Sequence, residues 1–386
     1  MSVWDSLVGQ PETVHLLERA VSDSHETPPG PGMTHAWLFT GPPGAGRSTA
    51  ALLLAAGLEC QEGGCGTCAN CVDVLRDAHD DVIRFVPQQL QITRDEAASL
   101  IRLASRMPVR GRWTVIVVED ADRLNEVSGN MLLKSIEEPT PHTIWLLCAP
   151  SVEDVLPTIR SRCRVQVLRT PSWRDVAALL ERDGIELSMA AYAARAAQGH
   201  VGRARALATD EESRRHRHEI LRIPLQLNDL PACFAVAADI TSAATEEANR
   251  QTAILDERER ADLLTAYGEG ATGVTKAKIE RLARGAIKEL EARQKSRRTR
   301  AVRDRLDRSL VDLLSFYRDV LMLQLDTALD LINEELRPQL MQVAGASTPA
   351  RTRVRMDAIE RARKLFDSNA QPQLVLEALA VELARA

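Results

Sequence analysis

Gly41-Pro42-Pro43-Gly44-Ala45-Gly46-Arg47-Ser48-Thr49 is the stretch on which the reading of the chain turns. Residues 36–39, Ala-Trp-Leu-Phe, read as a buried strand before it, and the Ala/Leu run from Ala50 to Ala56 reads as a helix after it. Gly41, Gly46, Arg47 and Ser48 meet the spacing G-x-x-x-x-G-[basic]-[ST] of a phosphate-binding loop in its strand–loop–helix setting. Glycines let successive backbone N–H groups curl around phosphate oxygens, and the helix start adds partial positive charge. The basic letter of a working loop is lysine, a compact point charge, whereas arginine is longer, planar and forked. Lysine occurs only at 134, 276, 278, 288, 295 and 364, so a drift toward arginine contributes to the letter at 47. Even so, Arg47 speaks against hydrolysis while the cradle of Gly41, Gly44, Gly46, Ser48 and Thr49 remains able to hold ATP or ADP passively.

Outward from the loop, strand and helix alternate. Pro11 to Leu17 reads as an amphipathic helix, Asp81 to Pro87 as a strand, Thr93 to Met107 as a helix, and Thr114 to Val118 as a buried parallel strand. Leu124 to Glu138 is the next helix, Thr143 to Ala149 the next strand, and Arg164 to Leu168 a short last one. The pattern is that of a doubly wound α/β domain with a parallel sheet. Glu119-Asp120 follows the strand at 114–118, at the end where such sheets bind ligands. A hydrolytic site needs Asp, which supports Mg²⁺, and then Glu, which orients water. Here the order is reversed, and misplacement by ~1 Å can cost on the order of 100-fold in rate. The bland reading is two acids that end a strand and start a helix. Ala149-Pro150 supplies no polar sensor at the end of its strand.

Four of the seven cysteines are Cys60, Cys65, Cys68 and Cys71, spaced C-x4-C-x2-C-x2-C among Gly63, Gly64 and Gly66. This is the donor set of a closed structural zinc site that holds a loop without catalysing anything. An iron–sulfur cluster or unligated thiols are the alternatives. Cys148, Cys163 and Cys233 read as small buried apolar residues.

A net charge of −5 gives no overall nucleic-acid signature, and 3% aromatic content argues against binding single strands by base stacking. No signal pattern opens the chain and no apolar run reaches ~18 residues, so the expected location is cytoplasmic. From about His216 the chain reads as helical, with a polar connector near Thr241 to Gln251 and a packed helix over Leu310 to Leu331. Lys276 to Arg308 holds thirteen basic residues against five acids. It reads either as a face that follows a DNA backbone or as a solvated face with pairs such as Glu291–Lys295.

Taken with VGQ at 8–10, EDADRLN at 119–125, NMLLKSIEEP at 130–139 and TIRSRC at 158–163, the loop and the cysteine insertion resemble the clamp-loader subunits of bacterial DNA polymerase III, an AAA+ family, and within it the delta-prime branch. The resemblance covers about the first 205 residues. It implies an AAA+ P-loop domain over 1–169 with a zinc module at about 58–75, a small helical lid over 170–212 and an all-α collar over 213–386 that oligomerises. Arg162 then stands where the family carries an arginine finger that acts in trans on a neighbouring subunit's nucleotide. Arg203, in Gly-His-Val-Gly-Arg-Ala at 199–204, stands where lid arginines contact nucleotide. The family role would be a subunit without ATPase activity of its own, one component of a DNA-directed DNA polymerase holoenzyme. Implied partners are the ATPase (gamma/tau) subunits, the delta subunit, and the sliding clamp and primed DNA through the complex. An active ATPase motor and a zinc-dependent DNA-binding protein remain as alternatives. Against the second, no basic residue lies between Cys60 and Cys71.

Overall fold

The computed structural model describes residues 2–26, 28–87, 89, 91–267, 276–367 and 370–385, with the side chains of 276–280 and 367 outside that description. The Pro/Gly-rich stretch from Thr27 to Gly32, which the sequence marks as a loop leading to the first strand, has its first residue outside the described residues. The chain divides into two compact units, Met1–Thr209 and Asp210–Ala386.

In the first unit the described strands are β1 (Ala36–Thr40), β2 (Val82–Phe85), β3 (Thr114–Val118), β4 (Thr143–Ala149) and β5 (Arg164–Val167). They form one parallel sheet in the order β2-β3-β4-β1-β5. Alternate residues go to opposite faces. Trp37, Phe39, Val115, Val117, Ile144 and Leu146 pack on one side with α1 (Pro11–Ser24) and α2 (Arg47–Glu59). Leu38, Ile116, Val118, Trp145 and Leu147 pack on the other with α4 (Arg94–Ala104) and α5 (Glu126–Glu137). Burial on both faces is why these strands read as continuous apolar runs. Between α2 and β2 lies α3 (Ala69–Leu75), inside the cysteine module, and between β4 and β5 lies the single-turn α6 (Pro157–Arg160).

Three helices complete this unit: α7 (Trp173–Arg182), α8 (Leu187–Ala197) and α9 (Val201–Thr209). Their core is mostly alanine, including Ala190, Ala193, Ala194 and Ala204, with Val176, Leu180 and Leu207. Small side chains let the three axes approach closely.

The second unit is helical throughout its described elements: α10 (Glu211–Arg222), α11 (Leu230–Ala266), α12 (Lys276–Gln324), α13 (Arg337–Ala346), α14 (Pro349–Asp367) and α15 (Pro372–Arg385). Two expectations need correction. The polar stretch from Thr241 to Gln251 is no connector; it lies inside the 37-residue α11. Ala244, Ala248 and Thr252 form its buried stripe, and the Thr241 and Thr245 hydroxyls donate to the carbonyls of Ala237 and Thr241 in the turn before. Nor does the apolar helix run to Leu331. It stops at Gln324, Asp326 takes a left-handed φ of 48°, and Leu331 is buried from the following loop. Of the lone cysteines, Cys148 and Cys233 are buried as expected and Cys163 is only partly so. No helix among the described residues is long and apolar enough to cross a membrane.

Candidate functional site

The phosphate loop hangs between β1 and α2 at the carboxyl edge of the sheet, and its Gly41 N–H donates to the Pro150 carbonyl beyond β4 (3.2 Å). Gly44 and Gly46 have φ of 87° and 91°, values that L side chains avoid. A Cβ on Gly44 would lie 2.6 Å from the Cα and Cβ of His200, a residue of the three-helix subdomain, so glycine is what lets this segment seat on the loop. The loop, Ser48, Thr49, His200, Gly202 and Arg205 line a cavity of about 340 Å³.

The polar residues around the loop are already engaged with one another. Ser48 Oγ donates to Glu119 Oε2 (2.8 Å), and Arg84 of β2 holds Glu119 Oε1 through Nε (2.6 Å) and Nη2 (2.5 Å). Glu119 thus takes the place beside the loop serine where the first acid of a hydrolytic pair supports a metal. Asp120 has a left-handed φ of 50° and lies 3.5 Å from Arg123 Nε. Burial and the neighbouring Asp120 push the Asp122 carboxyl up from its ordinary value, partly offset by Arg123 and Arg47. Arg47 Nη1 and Asp122 Oδ1 are both buried without a hydrogen-bond partner. At the end of β4 stand Ala149 and Pro150, with no side chain able to polarise a phosphate.

Arg203 does not line the cavity. Gly202 and Arg205 do, and Arg205 is held by Asp183 (Nε 3.0 Å, Nη2 2.9 Å). Arg162 does not line it either. It follows α6, where Nη1 donates to the Thr158 carbonyl (2.8 Å) and Nε lies 3.0 Å from Glu137 Oε2, off the N–H axis and hence an ion pair rather than a hydrogen bond. The sequence reading overlooked Arg84, Asp122, His200 and Arg205. Arg84 was visible as the one charged letter inside Val-Ile-Arg-Phe, and Asp122 as the second acid of EDAD; the other two carried no signal of their own.

The four cysteines converge. Their sulfurs all lie within 4.8 Å of one another, with Cys60–Cys65 at 3.7 Å and Cys60–Cys68 at 3.8 Å. A tetrahedron with metal–sulfur bonds of ~2.3 Å has edges of ~3.8 Å, so the cage has the dimensions zinc requires. Backbone N–H groups of Cys65, Cys68 and Cys71 approach the sulfurs of Cys60, Cys65 and Cys68 at 3.4 Å each, which favours thiolates. Donors from Thr67 and Cys68 bring the Cys65 thiol down to about 6. Next to the cage, Glu59 accepts from the backbone of Arg112 (2.8 Å) and Trp113 (3.0 Å), and Asp81 from Val109, Arg110 and Gly111 (2.6, 2.8 and 2.6 Å). Two buried carboxylates thereby hold five consecutive amides of the loop between α4 and β3.

A parallel sheet of this order, a phosphate loop at its carboxyl edge and a three-helix subdomain seated on that loop define an AAA+ P-loop protein. Residues 9–172 match the family described as DNA polymerase III, delta subunit. The chain is 33% identical to the DNA polymerase III subunit gamma/tau of Mycobacterium tuberculosis over 177 residues, covering 42% of this chain and 29% of that one. With the subunit delta' of Bacillus subtilis it shares 31% over 158 residues (40% and 46%), and with that of Pseudomonas aeruginosa 35% over 143 residues (36% and 44%). The chain therefore spans less than half the length of these curated relatives. Among solved structures, a DNA polymerase III gamma subunit-related protein of Thermotoga maritima covers 96% of this chain and 98% of its own at 13% identity and a TM-score of 0.41, too distant a likeness to argue function from.

Proposed function

We propose that this chain is a non-hydrolysing, delta-prime-type subunit of the clamp loader that supplies Arg162 to the nucleotide site of a neighbouring ATPase subunit. The observation that carries the reading is the state of Glu119 and its surroundings. The carboxylate nearest the loop serine is a glutamate neutralised by Arg84, the next acid is turned into a left-handed backbone, and the phosphate position holds arginine. No side chain of this site is poised to orient an attacking water. Arg162, by contrast, has a free Nη2 among the described residues and sits away from its own loop, as a finger acting in trans requires.

In this role the subunit works beside gamma/tau-type ATPase subunits and a delta subunit, helping to load a sliding clamp on primed DNA. The collar, 213–386, oligomerises the ring, and the lid, 170–212, with Arg205 more than Arg203, contacts any nucleotide held passively. Zinc on Cys60, Cys65, Cys68 and Cys71 is structural. Purified alone, the chain should show no DNA-stimulated ATP turnover. In the reconstituted loader Arg162→Ala should lower turnover at least tenfold while leaving this chain folded; an unchanged rate would remove the finger assignment.

The likeness to gamma/tau subunits favours one second reading, an active ATPase in which Arg47 replaces lysine. Turnover by the isolated chain that Arg47→Lys leaves the same or lower would establish it.

A further inference from the structure

The basic stretch of α12 separates into two groups once the partners of its side chains are known. Arg297 meets Asp256 and Glu259 of α11, Arg298 meets Asp256 (3.2 Å), and Arg305 meets Glu247 (3.3 Å). Arg300 lies 3.7 Å from Asp304 on its own helix. Arg297, Arg298 and Arg305 clamp the antiparallel pair α11–α12, and Arg300 is engaged within its own helix.

Arg281, Arg284, Lys288 and Lys295 differ. All four are exposed, and among the described residues none has an ion-pair partner. The expected Glu291–Lys295 pair does not form, because Glu291 reaches across to Arg260 (3.2 Å). At ~100° per residue the four lie within about 60° of one another, along about 21 Å of helix axis. Ala283, Leu290 and Gln294 mark the opposite face, buried on α11. Among the described side chains the nearest acids on this helix are Glu291, already engaged, and Glu289, which projects roughly a quarter-turn away. Like charges one turn apart, as at Arg284 and Lys288, cost an isolated helix a few tenths of a kcal/mol. Among the described residues no ion pair offsets that cost.

We infer that this stripe binds the phosphate backbone of duplex nucleic acid. A straight row of unpaired cations complements a straight row of anions, and 21 Å spans about six phosphate steps at ~3.4 Å per strand. The stripe has no aromatic residue, so it does not stack on bases; the contact is ionic and indifferent to sequence. It is a separate property from the trans-acting arginine, since it resides in the other unit of the chain.

The test uses the full chain, a labelled duplex of mixed sequence, and anisotropy between about 50 and 200 mM salt. Four neutralised phosphates give a slope of log K against log salt near −3.6. The variant R281Q/R284Q/K288Q/K295Q should bind at least tenfold more weakly at the low-salt end, with a slope shallower by about 3. R281K/R284K, which keeps the charge, should bind like the parent, and so should R351Q/R353Q, which removes two exposed arginines from α14. Equal affinity and slope in the four-glutamine variant, with an unchanged circular dichroism spectrum, would overturn the proposal. So would absence of duplex binding by the parent chain, or binding that polyglutamate competes away as well as DNA does, which would point to an acidic protein segment instead.

Discussion

At Gly44 the backbone φ of 87° and the 2.6 Å approach of His200 combine two constraints in one residue. Gly44→Ala would place a methyl group against the backbone of another segment and force a left-handed alanine. We expect a loss of about 2 kcal/mol or more, read as a fall in melting temperature of about 4 °C or more. An unaltered melting curve would mean that the helical subdomain does not rest on the loop in solution. Arg47 is a residue whose letter was informative and whose setting sharpened it. Its Nη1 and the Oδ1 of Asp122 are both buried without a hydrogen-bond partner; Asp122→Asn removes no hydrogen bond at Oδ1 and should be a mild change for folding. At the same scale, Arg205 and not Arg203 of α9 lines the cavity. On a helix two positions differ by about 200°, and only the docking of α9 decides which of them faces the loop.

Among the elements, the cysteine module and the loop from α4 to β3 form one stitched edge. Arg110 reaches Asp73 and Asn70 on α3, while Asp81 gathers the amides of Val109, Arg110 and Gly111. Burial pushes the Asp81 carboxyl up, but those three donors outweigh it and leave it below its ordinary value of 3.8. A carboxyl depressed in the folded state contributes stability that is fully present above pH ~4 and is lost as pH falls through the folded value. Asp81→Asn should cost about 3 kcal/mol at neutral pH, since hydrogen bonds to a charge are the strong ones. The variant should also lose part of the acid-induced destabilisation seen in the parent; identical acid titrations of stability would contradict this. For the cage, elemental analysis should find one zinc per chain, and Cys71→Ser should release it while Cys163→Ser retains it. Chelation should lower the melting temperature of the parent and leave that of the Cys71 variant unchanged.

For the whole molecule, the second unit depends on a buried polar cluster that no local pattern announces. Arg217 of α10, 2% exposed, meets Asp312 of α12 (3.2 Å), Glu335 (3.1 Å) and Asn333. Asn333 in turn donates to the fully buried Asp319 through its backbone (2.7 Å) and side-chain (2.8 Å) N–H groups. Removing one partner of such a set strands the others without water. Arg217→Leu should therefore destabilise this unit by about 3–5 kcal/mol, measured by urea denaturation. A cost under about 1 kcal/mol would show that this cluster contributes little to the stability of the unit. His216, beside this cluster and 3.2 Å from Ser309 Oγ, is held below its ordinary value by burial and then by Arg305. The unfolded chain binds that proton first, so stability should fall as pH drops below 6.5, and His216→Gln should flatten that limb.

The amino-acid order alone determined the strands of the first unit, the phosphate loop, the cysteine cage and the helical nature of the rest. Each is a local matter: five-residue apolar runs, glycines at fixed spacing, thiols close along the chain. Tertiary structure decided what depends on contacts between distant residues. It set Arg84 on Glu119, seated His200 over Gly44, carried α11 unbroken through its polar stretch, and sorted the cations of α12 into those that meet acids of α11 and those that face water. The physical reason is that periodicity assigns a residue to a face of its own element, while only packing determines what that face meets.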